Sequence, residues 1–234
     1  MTNRNSKEDF NQRILVSITG FKDKHWRDKL KEVKKFNLVK VALFLEQFKK
    51  PQRKEIYQAL LKSEIKNIPL THIRHDMEKW ELVFLKENFY CRYFTIHEDG
   101  FKYLKKWRGF YKELFLEMNF DNAVAESVKV KKIGGFCVDL SHFKAAEEKH
   151  SKEFEYVFQK RNISRLFGCN HLNGYSYRKN EDIHFVKSLK DFDYLKTLPR
   201  FLFGKVIAIE TYNSIAEQLK YKKYLIGFLA KKSK

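Results

Sequence analysis

Glycine, proline and cysteine are all scarce in this 234-residue chain, at nine, three and three residues. So few chain-breaking residues leave no low-complexity or disordered stretch and nothing resembling an interdomain linker. A Gly-rich phosphate loop is missing too. Gly20-Phe21-Lys22, after the first candidate strand, is not GxGxxG, which argues against a dinucleotide-binding open sheet. No apolar run approaches the roughly 20 residues that cross a bilayer. The opening MTNRNSKEDFNQR lacks the apolar core of a secretory signal, and 1–12 reads as a polar extension. Cys91, Cys137 and Cys169 stand singly in strand-like segments without a CxxC pair. They read as small buried thiols in a reducing, cytoplasmic setting, and Cys169 reads as core although His171 lies two residues on.

Positive charge is abundant. Lys and Arg number 48 against 29 Asp and Glu, a net charge of +19. A surface this basic favours polyanions: nucleic acid, or sugar phosphates in a smaller pocket. The lysines are spread along the chain rather than gathered in one block, and a merely soluble basic surface gives the same count.

Hydrophobic residues make up 43% of the chain, enough for a buried core. Runs rich in β-branched and aromatic residues at 13–19, 39–46, 68–73, 91–97, 112–118, 135–140, 164–171 and 205–211 predict parallel strands buried on both faces. Amphipathic stretches at 24–36, 52–65, 77–89, 101–109, 123–132, 143–160, 182–198 and 213–230 predict the helices between them. Eight units of about 29 residues suit a single-domain (β/α)8 TIM barrel.

Six of the eight histidines fall near predicted strand ends, usually close to a carboxylate, in THIRHD, TIHEDG, VDLSHF, GCNHLNG and EDIH. Imidazoles and carboxylates are the side chains that hold divalent metals. A barrel assembles its active site by delivering such groups from successive strand ends. His72 and His97 end strands three and four, and Glu117 ends strand five. Asp139 and His142 follow strand six, His171 and Asn173 close strand seven, Asp182 and His184 come next, and Glu210 ends strand eight.

This order resembles the xylose isomerase-like barrel superfamily and, within it, the endonuclease IV family of apurinic/apyrimidinic DNA-repair nucleases. The resemblance runs from strand three to strand eight. It is carried by VDLSHF (138–143), NHLNG (170–174), EDIH (181–184) and IAIET (207–211). It implies one metal held by Glu117, Asp139, His171 and Glu210, a second by His72, His97 and Glu117, and a third by His142, Asp182 and His184. It further implies up to three zinc-like ions, a phosphodiester of DNA or another phosphate-bearing substrate, and Glu117 or Glu210 orienting the attacking water. In the isomerase branch only the four-residue site is expected, with manganese, magnesium or cobalt, and the same Glu pair moves a proton between adjacent sugar carbons. The loops depart from the nuclease pattern. Gly174 stands where an Asp is common, and His184 runs into Phe-Val-Lys-Ser rather than a Gly-rich turn. A non-catalytic nucleic-acid-binding barrel is a third reading.

Other positions carry paired readings. His75 competes with His72, but His72 lies inside the predicted strand and Asp76 reads as the N-cap of the next helix. Glu46 ends strand two as a substrate contact or as the partner of a lysine. Glu98 and Asp99 either orient His97 or belong to a solvated loop. Arg74, Asn173 and Arg178 cluster beside the mouth, where cations suit a phosphate group. His25 and His150 read as helix surface or packing residues.

Overall fold

The first strand is split in two, and that split closes the sheet. A computed structural model describes residues 2–20 and 23–232. In it β1 (Ile14–Leu15) and β2 (Ser17–Ile18) flank Val16. They are followed by β3 (Ala42–Phe44), β4 (Leu70–His72), β5 (Tyr93–Ile96), β6 (Leu114–Leu116), β7 (Gly135–Asp139) and β8 (Phe167–Leu172). A hairpin of β9 (Gly174–Ser176) and β10 (Glu181–Ile183) precedes β11 (Val206–Ile209). The main sheet has nine parallel strands in the order β1-β11-β8-β7-β6-β5-β4-β3-β2. Because β1 pairs with β11 and β2 with β3, the two halves of one strand join the sheet's ends. The result is a single-domain TIM barrel.

Strand alternation then places the chemistry. Side chains two apart on a strand share a face. Leu15, Ala42, Phe44, Leu70, Phe115, Cys137, Cys169, Val206 and Ala208 form a plug inside the barrel, separate from the larger core under the helices. Two residues beyond members of that plug stand His72, Glu117, Asp139, His171 and Glu210, all buried. The polar cluster therefore sits on top of the plug, at the C-terminal ends of the strands.

The helices are α1 (Thr2–Arg13), α2 (Asp23–Lys35), α3 (Lys50–Leu61), α4 (Lys79–Phe89), α5 (Leu140–Glu148), α6 (Lys152–Phe158) and α7 (Ile215–Lys232). The polar stretch at the start forms α1, whose Phe10 is buried. Several expected helices need correction. The expected helix 101–109 is a 3-10 segment over Glu98–Trp107, and 123–132 keeps only a 3-10 turn at Val130–Lys132. Two buried carboxylates organise the loop that replaces that second helix. Glu98 accepts from the backbone N–H of Asn119 and Ala125, and Glu153 from those of Asp121 and Asn122. Glu98 is thus no part of a solvated loop.

The stretch 143–160 breaks into α5 and α6 because His150 turns into the left-handed region (φ 49°) and Ser151 caps the next helix. The stretch 182–198 opens as β10 and continues as a 3-10 segment over Leu189–Lys196. Asp76 is not an N-cap. Glu78 occupies that position on α4, and Asp76 instead pairs with Arg53 at 2.9 Å.

Candidate metal centre

Glu117 lies at the centre of the cluster. Its Oε2 is 3.0 Å from His171 Nδ1 and 3.5 Å from His72 Nδ1, and its Oε1 is 3.9 Å from His142 Nδ1. Glu210 Oε2 approaches the same His171 nitrogen at 3.4 Å. Asp139 serves two purposes at the junction of β7 and α5. Its Oδ1 accepts from the N–H groups of Ser141 and His142, capping the helix. Its Oδ2 accepts from Asn173 Nδ2 at 2.8 Å and faces His142 Nδ1 at 3.9 Å. The hairpin brings in the rest: Asp182 lies 3.6 Å from His142 Nε2 and 2.8 Å from His184 Nε2.

Three donor sets result, each with one ligand atom per residue and all such atoms within 4.8 Å of one another: Glu117, Asp139, His171 and Glu210; His72, His97 and Glu117; and His142, Asp182 and His184. A fourth combination, His72, His171 and Glu210, meets the same condition. Unpaired polar atoms point the same way. Both nitrogens of His72, Nδ1 of His97 and of His142, and Oε2 of Glu46 are buried with no hydrogen-bond partner among the described residues. Buried polar groups left without partners are costly, and a cation among them would satisfy lone pairs that the protein does not. The donor types, imidazole and carboxylate, suit a divalent ion.

Crowded carboxylates shift the titration of the cluster. Burial and the charge of neighbouring Glu117 push Glu210 up to about 7, and burial with Glu210 pushes Glu46 up to about 8. Burial opposes protonation of His142 and His184, yet Asp139 and Asp182 raise them to about 10 and about 9. Burial holds His72 well below its usual range.

The remaining site expectations divide. His75 is exposed, stacks on Tyr103 and faces Asp99 at 3.6 Å, so His72 is the strand-end histidine in the cluster. Glu46 Oε2 is 3.9 Å from His72 Nδ1. Arg74 lines a cleft of about 160 Å³ together with Glu46, His75, His97 and Trp107, and its Nη1 donates to the Glu46 carbonyl at 3.3 Å. Asn173 is buried beside Asp139 and Glu210, whereas Arg178 is exposed in the hairpin turn. His25 lies on α2.

Sequence reasoning missed Thr95, whose Oγ1 is 3.4 Å from His171 Nε2, and the Phe44 ring, 4.8 Å from that imidazole. Thr95 precedes His97 by two on β5, so strand alternation alone could have marked it. Lys29 was missed as well. It is buried on α2 and donates to the Thr211 carbonyl at 2.6 Å, next to Glu210.

No protein-family model matches the chain, and no curated protein matches it. Among solved structures the chain is similar to a D-tagatose 3-epimerase-like protein. The two share 14% identity with a TM-score of 0.52 over 92% of this chain and 97% of that one. The likeness bears on the fold. It agrees with a barrel fold and singles out no family, the endonuclease IV family included. Among the described residues no helix is long and apolar enough to cross a membrane.

Proposed function

We propose that the protein is a metal-dependent hydrolase of a phosphodiester, of the endonuclease IV type. One observation carries this reading: five donors, His72, His97, His142, Asp182 and His184, gather beyond the four-residue set that a one-metal isomerase requires. His72, His97 and Glu117 would hold one ion, Glu117, Asp139, His171 and Glu210 another, and His142, Asp182 and His184 a third. When bound, divalent ions supply an acidified water and neutralise charge on phosphoryl and leaving oxygens. The chain's own part is to fix the donors on strand ends. Asn173 orients Asp139, and Glu210 or Glu117 orients the attacking water. Arg74, in the adjoining cleft, supplies a guanidinium for a phosphate oxygen.

A second reading is a one-metal sugar or sugar-phosphate isomerase or epimerase. It is supported by the name of the similar structure and by Glu117 and Glu210 both facing His171 Nδ1. Such a pair suits proton transfer between adjacent carbons.

Elemental analysis of the purified protein, combined with two assays, tests the proposal. About three ions per chain and chelator-sensitive cleavage of abasic-site duplex DNA are expected. One ion per chain with turnover of a ketose, and intact DNA, would overturn the hydrolase reading in favour of the epimerase. Protein that binds no metal and turns over neither substrate would overturn both.

A further inference from the structure

At the opposite end of the barrel from the metal centre, basic side chains line a cleft of about 530 Å³. Lys112 precedes β6, Lys131 and Lys132 precede β7, and Arg165 precedes β8, so three successive strand entrances contribute. Ile163 and Leu166 form part of the apolar lining, and no carboxylate lines the cleft. All four cations are exposed, and none of them forms an ion pair among the described residues. The neighbouring acid, Glu113, turns to Lys86 at 2.8 Å instead. The uncompensated field reaches the end of α6, where burial and then the charge of Lys131 push the Lys160 ammonium down.

Like charges held together without counter-charge repel and cost stability, and a bound anion would relieve that cost. The acid-lined metal centre cannot supply the anion, because it opens at the other end of the barrel. A cleft of this size with cations from three loops exceeds what one small anion needs, and a phosphodiester backbone offers several charges to them at once. We propose that the cleft at the base of the barrel, lined by Lys112, Lys131, Lys132 and Arg165, binds the phosphate backbone of a nucleic-acid strand. This contact is separate from the metal centre and independent of which reaction occurs there.

The test is fluorescence anisotropy of the full chain with a labelled single-stranded 20-mer at several salt concentrations. Each phosphate contact adds about 0.7 to the slope of log K against log salt for a single strand. The triple variant Lys131→Glu, Lys132→Glu, Arg165→Glu is expected to bind at least tenfold more weakly and to lose about 2 from that slope. A control with the same charge change elsewhere, Lys54→Glu, Lys66→Glu, Lys220→Glu, is expected to keep most of both. Equal weakening by the two sets would overturn the proposal, because overall charge would then suffice. Loss of inorganic phosphate binding in the triple variant with oligonucleotide binding unchanged would also overturn it. The corresponding glutamine variants remove charge without reversing it and repeat the comparison should the reversals unfold the chain.

Discussion

The side-chain amide of Asn173 donates to Oδ2 of Asp139 at 2.8 Å, while the other oxygen of that carboxylate caps α5. The same amide nitrogen is 3.4 Å from Glu210 Oε2. One neutral donor thus bridges two carboxylates that would otherwise repel, and the Tyr194 hydroxyl, donating to the Asn173 carbonyl at 3.0 Å, steadies its backbone.

Asn173→Ala should therefore lower divalent-metal affinity by about 10- to 100-fold, the range typical of residues that orient ligands. Competition against a chromogenic chelator measures it, and a circular dichroism spectrum equal to that of the parent shows that the loss is local. Unchanged affinity would remove Asn173 from the site.

Glu117 belongs to two donor sets and Asp182 to one. Glu117→Ala should therefore lower the metal content by more than one ion per chain, and Asp182→Asn by about one, if three ions are bound. Elemental analysis of the two variants side by side decides it. Equal losses would mean that the sets do not share Glu117 in solution.

Burial lowers Lys29 from its ordinary 10.5 to about 7, although Glu32 and Glu210 pull the other way. Between those two values the unfolded chain binds a proton at this site that the folded chain has released, so stability contributed here rises with pH. Below about 7 both states are protonated and the slope vanishes. Lys29→Met should be stabilised relative to the parent most at pH 6, with the advantage shrinking as pH rises toward 10. Urea midpoints of both proteins across that range measure the difference, and a constant difference would refute it.

Arg53 and Glu81 are both fully buried, with two contacts of 2.8 and 3.0 Å, and the Tyr57 hydroxyl also donates to Glu81. Removing one partner leaves a buried charge uncompensated. Arg53→Met should cost about 3–5 kcal/mol, and adding Glu81→Leu should recover much of it. Denaturant unfolding of the two single variants and the double variant tests the coupling.

The strand positions were legible because each predicted run contains the observed main-sheet strand or all but one of its residues, and buried parallel strands leave a dense β-branched signature. The donors were legible because they end those runs. The helices after β5, β6 and β8 were not. Apolar spacing in 101–109, 123–132 and 182–198 matched a helical period, but tertiary partners decided otherwise. Glu98 and Glu153 accept from the amides of Asn119, Asp121, Asn122 and Ala125, which fixes the start of that stretch as a loop. In the third case Asn180, in the left-handed region at φ 53°, turns the chain back so that Asp182 pairs opposite Tyr175. That hairpin brings Asp182 and His184 beside His142, so two of the gathered side chains sit on an element that the apolar spacing did not predict. Lys29 left no trace in the sequence, because a lysine on an amphipathic helix reads as solvated until a partner across the fold claims it.

The residues that seal the sheet, Ile14 and Leu15, are synthesised nearly two hundred residues before their partners Ile207 and Ala208. Until β11 leaves the ribosome, β8 keeps an open flank and Glu210 has not arrived beside His171. Ring closure and completion of the cluster thus coincide, and a nascent chain stalled before Val206 holds a sheet with two bare flanks and lacks Glu210.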